Sequence, residues 1–192
     1  MRIVLGVTGA SGTIYGVRLA SELRDAGVEL AIIVSDAAKQ VLAAEFPDGL
    51  KQLEGYGRTF SEHDLDADVS SGSAKTDAVV ICPCSMKTLA AIANGYAYNL
   101  ICRTADVALK EHRKLVLVAR EMPLSAIHLE NMLKLARLGT VILPASPGFY
   151  HQPKTIDDLV NHVVGKVLDA LGIEFEDLVG VKKLESFFSG AM

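Results

Sequence analysis

The chain has 192 residues, a length typical of one domain, and half of them are apolar, with a mean hydropathy of +0.30. Its formal net charge is −4 and its pI is about 5.7, so nucleic acid is not expected as its main partner, because a phosphate backbone is bound by a surplus of Lys and Arg. No apolar run approaches the roughly 20 residues that cross a bilayer, and the first residues lack a secretory pattern, so we expect a cytoplasmic protein without a membrane segment.

The apolar content is high for a chain in which only 22% of the residues are charged. Apolar surface buried between subunits would explain it, and so would a well-filled α/β core. The first explanation predicts a homo-oligomer. The cysteines, Cys82, Cys84 and Cys102, lack paired CxxC spacing, so neither disulfides nor a metal site is expected. Cys82 and Cys84 suggest either redox chemistry or small apolar residues at the end of a buried strand.

In chain order, short apolar runs alternate with segments whose apolar residues have helical spacing. Strands are predicted at residues 2–7, 28–34, 77–82, 114–119 and 140–143, and helices at 13–26, 36–46, 85–93, 102–112, 125–138 and 155–171. Residues 47–76 are polar and punctuated by glycine, and they are predicted to form an irregular excursion in which a short helix or small strands could form.

This alternation is typical of a parallel sheet that helices cover on both faces. The predicted fold class is therefore α/β, a doubly wound parallel sheet in a Rossmann-like or flavodoxin-like three-layer sandwich, and we expect the strand order 2-1-3-4-5. Residues 1–172 would form this domain. Residues 173–192, which contain Phe187 and Phe188, would form a tail that docks on the domain or contacts another subunit.

Polar residues directly follow the predicted strands. In open parallel sheets, ligands bind beyond the carboxyl ends of the strands. The sequence therefore predicts a ligand site at one edge of the sheet, formed by Gly9–Gly12, Ser35, Cys84–Thr88, Arg120 with Glu121, and Pro144–Tyr150.

The first of these segments joins a strand to a helix and contains Gly6, Gly9, Ser11 and Gly12. Glycine lets the backbone turn tightly and approach a ligand, and a helix start offers N–H groups to a phosphate. The loop favours a nucleotide site, although a tight turn with a capping serine would use the same residues. It is not the GxGxxG pattern of dinucleotide sites.

A second helix start, Ser85–Thr88, provides another polar site, which plain N-capping by Ser85 explains equally well. Arg103 and Lys110 are two helical turns apart and share a face. They would either clamp a phosphate or form a solvated face in which Arg103 pairs with Asp106.

Arg120 and Glu121 place a cation and a carboxylate directly after a strand, which indicates either a proton-transfer group or an ordinary ion pair. Tyr150, His151 and Lys166 would add phosphate donors. His128, in the middle of a helix, fits a packed or surface role better than a catalytic one.

Five ordered segments then carry a family resemblance: GVTGASGTIYGVRLA, CPCSMKTLAAIANG, RTADVALKE, AREMPLSAIHLENMLKL and PASPGFYHQP. Together they resemble the flavin prenyltransferase (UbiX-type) family over almost the whole chain. The resemblance implies a metal-free dodecamer with FMN at subunit contacts, which transfers a dimethylallyl group from dimethylallyl phosphate to N5 and C6 of reduced FMN. The product, prenylated FMN, would serve a partner decarboxylase that acts on aromatic or unsaturated acids.

The resemblance also implies roles for individual residues. It assigns FMN to Gly9, Ala10, Ser11, Ser35, Ser85, Met86, Lys87, Thr88 and Arg120, and the prenyl phosphate to Arg103, Lys110, Tyr150 and Lys166. Ser11, Glu45 and Glu121 match its catalytic positions, with Glu121 and the phosphate moving protons while Ser11 and Glu45 assist at N5 and in ring closure. Lys166 stands where many relatives of that family have arginine, and lysine lacks the bidentate fork of arginine.

Two alternative functions are considered for the sequence. A flavin-dependent cysteine-peptide decarboxylase needs a histidine near the flavin and a mobile cysteine flap, yet no histidine precedes His63, and SMKT follows the third strand in place of an asparagine-methionine signature. A non-enzymatic FMN carrier or accessory protein has no use for a second anion site.

Overall fold

The computed structural model describes residues 1–174 as a parallel sheet between two layers of helices. The strands are β1 (Arg2–Val7), β2 (Glu29–Val34), β3 (Arg58–Ser61), β4 (Ala78–Cys84), β5 (Lys114–Ala119) and β6 (Val141–Pro144). The helices are α1 (Thr13–Asp25), α2 (Asp36–Glu45), α3 (Gly49–Tyr56), α4 (Met86–Ala93), α5 (Leu100–Lys110), α6 (Ala126–Arg137) and α7 (Ile156–Leu171), and a 3-10 turn covers Asp68–Ser70.

The strands pair in parallel in the order β3-β2-β1-β4-β5-β6. The doubly wound α/β fold is confirmed, and the five predicted strands have the predicted order. One strand was missed: β3 adds an edge to the sheet inside the segment 47–76 that we expected to be irregular. Because β3 has four residues, none of them fully buried, its sequence has no apolar run to indicate a sheet strand.

Alternating side chains along the strands give the sheet two separate apolar layers. Val116 and Val118 of β5 face the layer built by α1, α2, α3 and α7. Leu115 and Leu117 of the same strand face the layer built by α4, α5 and α6. Full burial of one such side chain stabilises the fold by about 1.5–3 kcal/mol. Helices α5 and α7 therefore lie on opposite faces of the sheet.

Helix α6 contributes little to these layers, because Leu135 is its one buried residue when residues 1–174 are considered. Ile127, Leu129 and Leu133 on the same helix are each more than half exposed, at 68%, 52% and 51%. Within residues 1–174, an apolar surface on α6 is thus left uncovered.

Helix α7 ends at Gly172, whose φ of +76° is the left-handed conformation that glycine adopts without a steric penalty. Ile173 still packs against the core. The rest of the predicted tail, including Phe187 and Phe188, lies outside the described residues. Among residues 1–174, no helix has the length and apolarity that a membrane span requires.

Candidate functional site

The parallel sheet brings the predicted polar segments to one edge, because they follow the carboxyl ends of β1, β2, β4, β5 and β6. We call this side of the sheet the ligand edge. Thr8, which the sequence did not single out, ties two of the strand ends together. Its Oγ1 donates to the carbonyl of Pro83 at 2.7 Å and accepts from the N–H of Ser85 at 2.8 Å.

Packing explains the glycines of the first loop. A Cβ on Gly9 would lie 2.5 Å from the Cβ of Ala37, so only glycine lets the loop approach the start of α2 this closely. Gly12 has a φ of +92° and precedes the first turn of α1. The loop is therefore held tightly between two helix starts before any ligand is considered.

Glu45, at the end of α2, lies at the start of α1. Its Oε2 accepts from the N–H of Gly12 at 2.9 Å, and from the N–H and hydroxyl of Thr13 at 3.1 and 3.0 Å. Burial, the largest single influence, raises the pKa of Glu45, but hydrogen bonds from Ser11, Gly12 and Thr13 outweigh it and lower the pKa below its usual value. The helix start that we expected to offer its N–H groups to a phosphate is thus engaged by a carboxylate of the chain itself.

Ser35 and Ser85 both act as N-caps, as their positions indicated. Ser35 Oγ accepts from the N–H of Ala38 at 3.1 Å. Ser85 Oγ accepts from the N–H of Thr88 at 3.4 Å and donates to its Oγ1 at 3.1 Å. Since both caps are at the ligand edge, α2 and α4 direct the positive ends of their dipoles towards it.

The remaining residues of this helix start are placed differently. Met86 is buried, and the Nζ of Lys87 lies 5.2 Å from the ring centroid of Tyr98. Lys87 is thus positioned over an aromatic face, a contact of the cation–π type.

A buried carboxylate that the sequence did not reveal braces this edge. Glu62 accepts from the N–H of Asp36 at 2.7 Å and, with its other oxygen, from the side-chain amide of Asn99. Asn99 in turn caps α5, accepting from the N–H of Cys102 at 2.9 Å. Asparagine before a helix is a recognisable N-cap signal, but nothing in the sequence around Glu62 indicated its role.

Arg120 and Glu121 line a cavity of about 430 Å³ beyond the ends of β5 and β6. The other lining residues are mostly apolar: Ala119, Met122, Pro123, Leu124, Met132, Pro144, Ala145 and Ser146. Glu121 accepts from the N–H of Met122 at 2.9 Å, and within residues 1–174 it forms no ordinary ion pair with Arg120. A carboxylate in the lining of such a cavity is within reach of a bound ligand, which is the first requirement for a proton-transfer group.

Arg120 also lies close to the first loop. Burial raises the pKa of Tyr15 on α1, and the positive charge of Arg120 acts in the opposite direction. The ring of Tyr15 is 3.0 Å from the position a Cβ on Gly12 would take. The cavity and the glycine loop are therefore adjacent parts of one edge.

Arg103 and Lys110 share a face of α5, as predicted, and both side chains point to the segment around Ser70 and Gly72. Arg103 Nε donates to the carbonyl of Ser70 at 3.0 Å, and a Cβ on Gly72 would be 2.9 Å from Lys110 Nζ. Each cation has an acidic neighbour. Arg103 Nη1 lies 3.4 Å from Oδ2 of Asp106, and Lys110 Nζ lies 2.7 Å from Oε1 of Glu111. Within one chain the pair with Asp106 is therefore formed.

Tyr150 and Lys166 meet around one histidine. Tyr150 Oη lies 2.8 Å from Nε2 of His162, and Lys166 follows His162 by one turn of α7. Burial and, less strongly, the charges of His151 and Lys166 lower the pKa of His162. Lys166 Nζ is also 3.2 Å from Asp169.

One chain does not bring all four predicted phosphate ligands together. Arg103 and Lys110 are on α5, whereas Lys166 and the histidine that holds Tyr150 are on α7. These helices cover opposite faces of the sheet.

The remaining candidates have structural roles. Cys82 and Cys84 are fully buried in β4, and burial raises the pKa of both thiols, which is consistent with the interpretation as small apolar residues. Burial also raises the pKa of Cys102 to about 12. His128 Nδ1 accepts from the N–H of Ser125 at 3.2 Å, and Ser125 Oγ accepts from the N–H of His128 at 3.3 Å, a capping box for α6.

The similarity of this chain to known proteins extends over nearly its whole length. The Flavoprotein family model matches residues 1–168. Flavin prenyltransferase UbiX of Methanocaldococcus jannaschii is 50% identical over 175 residues, which are 91% of this chain and 95% of that protein.

Solved structures of similar proteins have the same fold as this chain. The crystal structure of a dodecameric FMN-dependent UbiX-like decarboxylase from Escherichia coli O157:H7 has a TM-score of 0.90 and 47% identity, covering 92% of this chain and 97% of its own. The crystal structure of AnUbiX (PadA1) in complex with FMN and dimethylallyl pyrophosphate has a TM-score of 0.88 and 44% identity, covering 90% of this chain and 93% of its own.

Proposed function

Because this chain belongs to the flavin prenyltransferase family, we propose that it joins a dimethylallyl group from dimethylallyl phosphate to N5 and C6 of reduced FMN. The observation that carries the proposal is the apolar cavity at the ligand edge, where Arg120 and Glu121 meet methionine, proline and leucine side chains. An apolar chain with a negatively charged end and an aromatic ring fits such a lining. Reduced FMN supplies the nucleophilic N5 and C6 atoms.

The residues that would hold FMN surround the starts of three helices. They are Gly9, Ala10 and Ser11 before α1, Ser35 before α2, Ser85–Thr88 at α4, and Arg120. Glu45 already neutralises the start of α1. Glu62 likewise engages the first N–H of α2. The flavin phosphate therefore fits best at the start of α4, where the helix dipole favours an anion.

The prenyl phosphate requires a different arrangement. Since Arg103 and Lys110 lie on the opposite face from Lys166 within one chain, a phosphate gripped by all four predicted ligands must lie between copies. The exposed Ile127, Leu129 and Leu133 of α6 provide an apolar contact surface for such an assembly. We propose a dodecamer, the state that the E. coli relative forms.

The proposed reaction gives each of these groups a specific role. The allylic C–O bond would break as a bond forms between the allylic carbon and N5, which gives up its proton. The electrons of the broken bond leave with the phosphate, whose charge fixed cations would stabilise without a metal ion. Joining the prenyl double bond to C6 requires one proton delivered to the prenyl chain and one removed from the ring. Glu121, beside the cavity, would carry these protons. Ser11 and Glu45, which touch each other at the start of α1, would assist at N5 and in ring closure.

The relatives are named for two different activities, prenyl transfer and decarboxylation. The cationic ligands Arg103, Lys110 and Lys166 favour prenyl transfer, because a decarboxylase or a flavin carrier has no need of a second phosphate site. Prenylated FMN would then be passed to a separate decarboxylase acting on aromatic or unsaturated acids.

Anaerobic incubation with reduced FMN and dimethylallyl phosphate tests the activity directly. We expect the flavin recovered from the protein to gain the mass of one five-carbon unit. Unmodified flavin, recovered from protein that has bound both ligands, would contradict the proposal. Protection of FMN-loaded protein against heat by dimethylallyl phosphate reports the second anion site and separates the enzyme from a simple carrier.

A charge in the α6 surface tests the assembly. Ile127→Glu should yield a smaller species in light scattering, because a buried unpaired carboxylate opposes association. Leu65→Glu is the matched control, because Leu65 is half exposed, at 50%, and follows β3 at the other edge of the sheet. An unchanged mass for Ile127→Glu would exclude this part of α6 from the interface.

A further inference from the structure

The side chain of His162 links the loop after β6 to α7. Its Nδ1 is 3.2 Å from the backbone nitrogen of Gly148, and its Nε2 is 2.8 Å from Oη of Tyr150. The rings of Tyr150 and His162 meet edge to face, with centroids 5.5 Å apart. A side chain that bonds through both ring nitrogens has little freedom to rotate.

The backbone contact determines which nitrogen of His162 carries the proton. A backbone N–H can only donate, so Nδ1 of His162 must accept from Gly148. A neutral imidazole has one donor and one acceptor, so the hydrogen is on Nε2. Nε2–H therefore donates to Tyr150, whose oxygen accepts.

The surroundings keep His162 neutral. The ring of His151 stacks on it at 4.9 Å with an interplanar angle of 6°, and Lys166 lies one turn away. Burial, together with these charges, lowers the pKa of His162. A protonated ring would also set two donors, Nδ1–H and the N–H of Gly148, against each other.

We infer that His162 is a positioning residue that fixes the hydroxyl of Tyr150 as a donor to the prenyl phosphate. Because the Tyr150 oxygen already accepts from His162, its own hydrogen is directed away from the imidazole and is available to a ligand. Half of Tyr150 is exposed, and Lys166 lies on the same side of α7, so an anion can approach both. The inference rests on the proposed role of Tyr150 in phosphate binding.

Gly148 completes the arrangement. A Cβ at this position would lie 2.7 Å from Cε1 of Tyr150 and 3.4 Å from Cε1 of His162. Only glycine therefore lets the backbone N–H reach His162 while the Tyr150 ring stays in place.

A double-mutant cycle tests the inference through kcat/KM for dimethylallyl phosphate. Tyr150→Phe should lower it roughly ten-fold or more, the usual effect of losing a hydrogen bond to a charged group. His162→Phe keeps an aromatic ring but neither nitrogen, and should lower it about three- to ten-fold. The double variant should be no weaker than Tyr150→Phe within about two-fold, because His162 acts through the tyrosine.

His162→Gln provides the rescue. Its amide can donate to Tyr150, so we expect kcat/KM to recover to within about three-fold of the wild type. FMN affinity and assembly size, measured on every variant, should remain at the wild-type values. A change in either quantity would reveal a folding defect.

The outcomes separate the two levels of the proposal. An unaffected Tyr150→Phe variant would remove Tyr150 from the phosphate site and the inference with it, while prenyl transfer itself would still be measured by flavin mass. If Tyr150→Phe is impaired but His162→Phe is not, only the inference is overturned. Losses that multiply in the double variant, or a glutamine variant as weak as the phenylalanine variant, would also overturn it.

Discussion

The two halves of the ligand edge are built differently. Around β1, β2 and β4, hydrogen bonds within the chain fix the loops: Glu45 holds the start of α1, and Glu62 joins α2 to α5. Around β5 and β6, the one hydrogen bond that Glu121 forms within the described part of the chain comes from the N–H of Met122, and Tyr150 is half exposed. Helix α6 next to this half buries a single residue against the described part of the chain.

The difference indicates how the work is divided between one chain and an assembly. The half that would bind flavin is shaped by the chain alone, with glycines packed against helices and serines capping them. The ligands expected for the prenyl phosphate, by contrast, lie partly outside this second half and on both faces of the sheet, with Arg103 on α5 and Lys166 on α7. Variants in the first half should therefore affect stability and flavin binding together, whereas variants in the second should affect catalysis alone.

The largest effect is expected in the half around β5 and β6, which we call the open half because its side chains are more exposed. Glu121→Gln keeps the shape of the side chain but cannot accept or release a proton, so we expect prenylated FMN to form roughly a hundred-fold more slowly or worse. FMN affinity should not change, because the first loop is intact. Initial rates by flavin mass measure the first quantity, and fluorescence titration measures the second.

Glu54→Gln is the matched control, because Glu54 is exposed on α3. It should keep the wild-type rate. A Glu121→Gln variant as fast as the wild type would end the role of this carboxylate and leave the open half without a proton carrier.

In the half around β1, β2 and β4, Gly9→Ala should lower the free energy of unfolding by about 1–3 kcal/mol, because the new Cβ would lie 2.5 Å from the Cβ of Ala37. The shift needed to relieve this contact moves the loop, so FMN should bind more weakly as well. Gly55→Ala on α3 is the control, since its Cβ would meet nothing within 4 Å. Alanine there should stabilise the helix by up to about 1 kcal/mol. Coupled losses for Gly9→Ala alone, in thermal unfolding and FMN titration, would sharpen the comparison.

Glu45→Gln should cost less, about 1 kcal/mol, because glutamine retains an acceptor but loses the charge at the helix start. The effect depends on pH. Since the folded chain lowers the pKa of Glu45, its charge contributes stability above the unfolded-state pKa, and that contribution is lost as pH falls through the lowered folded-state value.

The difference in stability between wild type and Glu45→Gln should thus be full at neutral pH and disappear in acid, below the usual glutamate range. Denaturant unfolding at several pH values measures it. A difference that persists unchanged in strong acid would mean that the carboxylate acts by shape and not by charge.

The sequence predicted the fold well because strand and helix periodicity report burial directly. It missed β3, since a short edge strand has neighbours on one side only and needs no apolar run. It placed the polar segments at one edge, because that follows from parallel strands and their order.

The contacts within that edge were less accessible. The bond from Glu45 to Gly12 joins residues 33 positions apart, and Glu62 bonds to Asp36 and Asn99, which are 26 and 37 positions away. Periodicity does not encode contacts of this kind. The resemblance named Arg103, Lys110 and Lys166 as one group, but only the sheet topology shows that a single chain separates them.

The smallest effect is expected at Lys166, where arginine would restore a bidentate fork. Lys166 lies one turn from His162, beside Tyr150, and its Nζ is 3.2 Å from Asp169. Lys166→Arg should lower KM for dimethylallyl phosphate about two- to four-fold, because two parallel hydrogen bonds hold a phosphate better than one point charge. Lys51→Arg, at an exposed position on α3, should leave KM unchanged. A higher KM for Lys166→Arg would mean that this half of the edge is already fitted to the shorter ammonium group, and is then less open than its exposed side chains indicate.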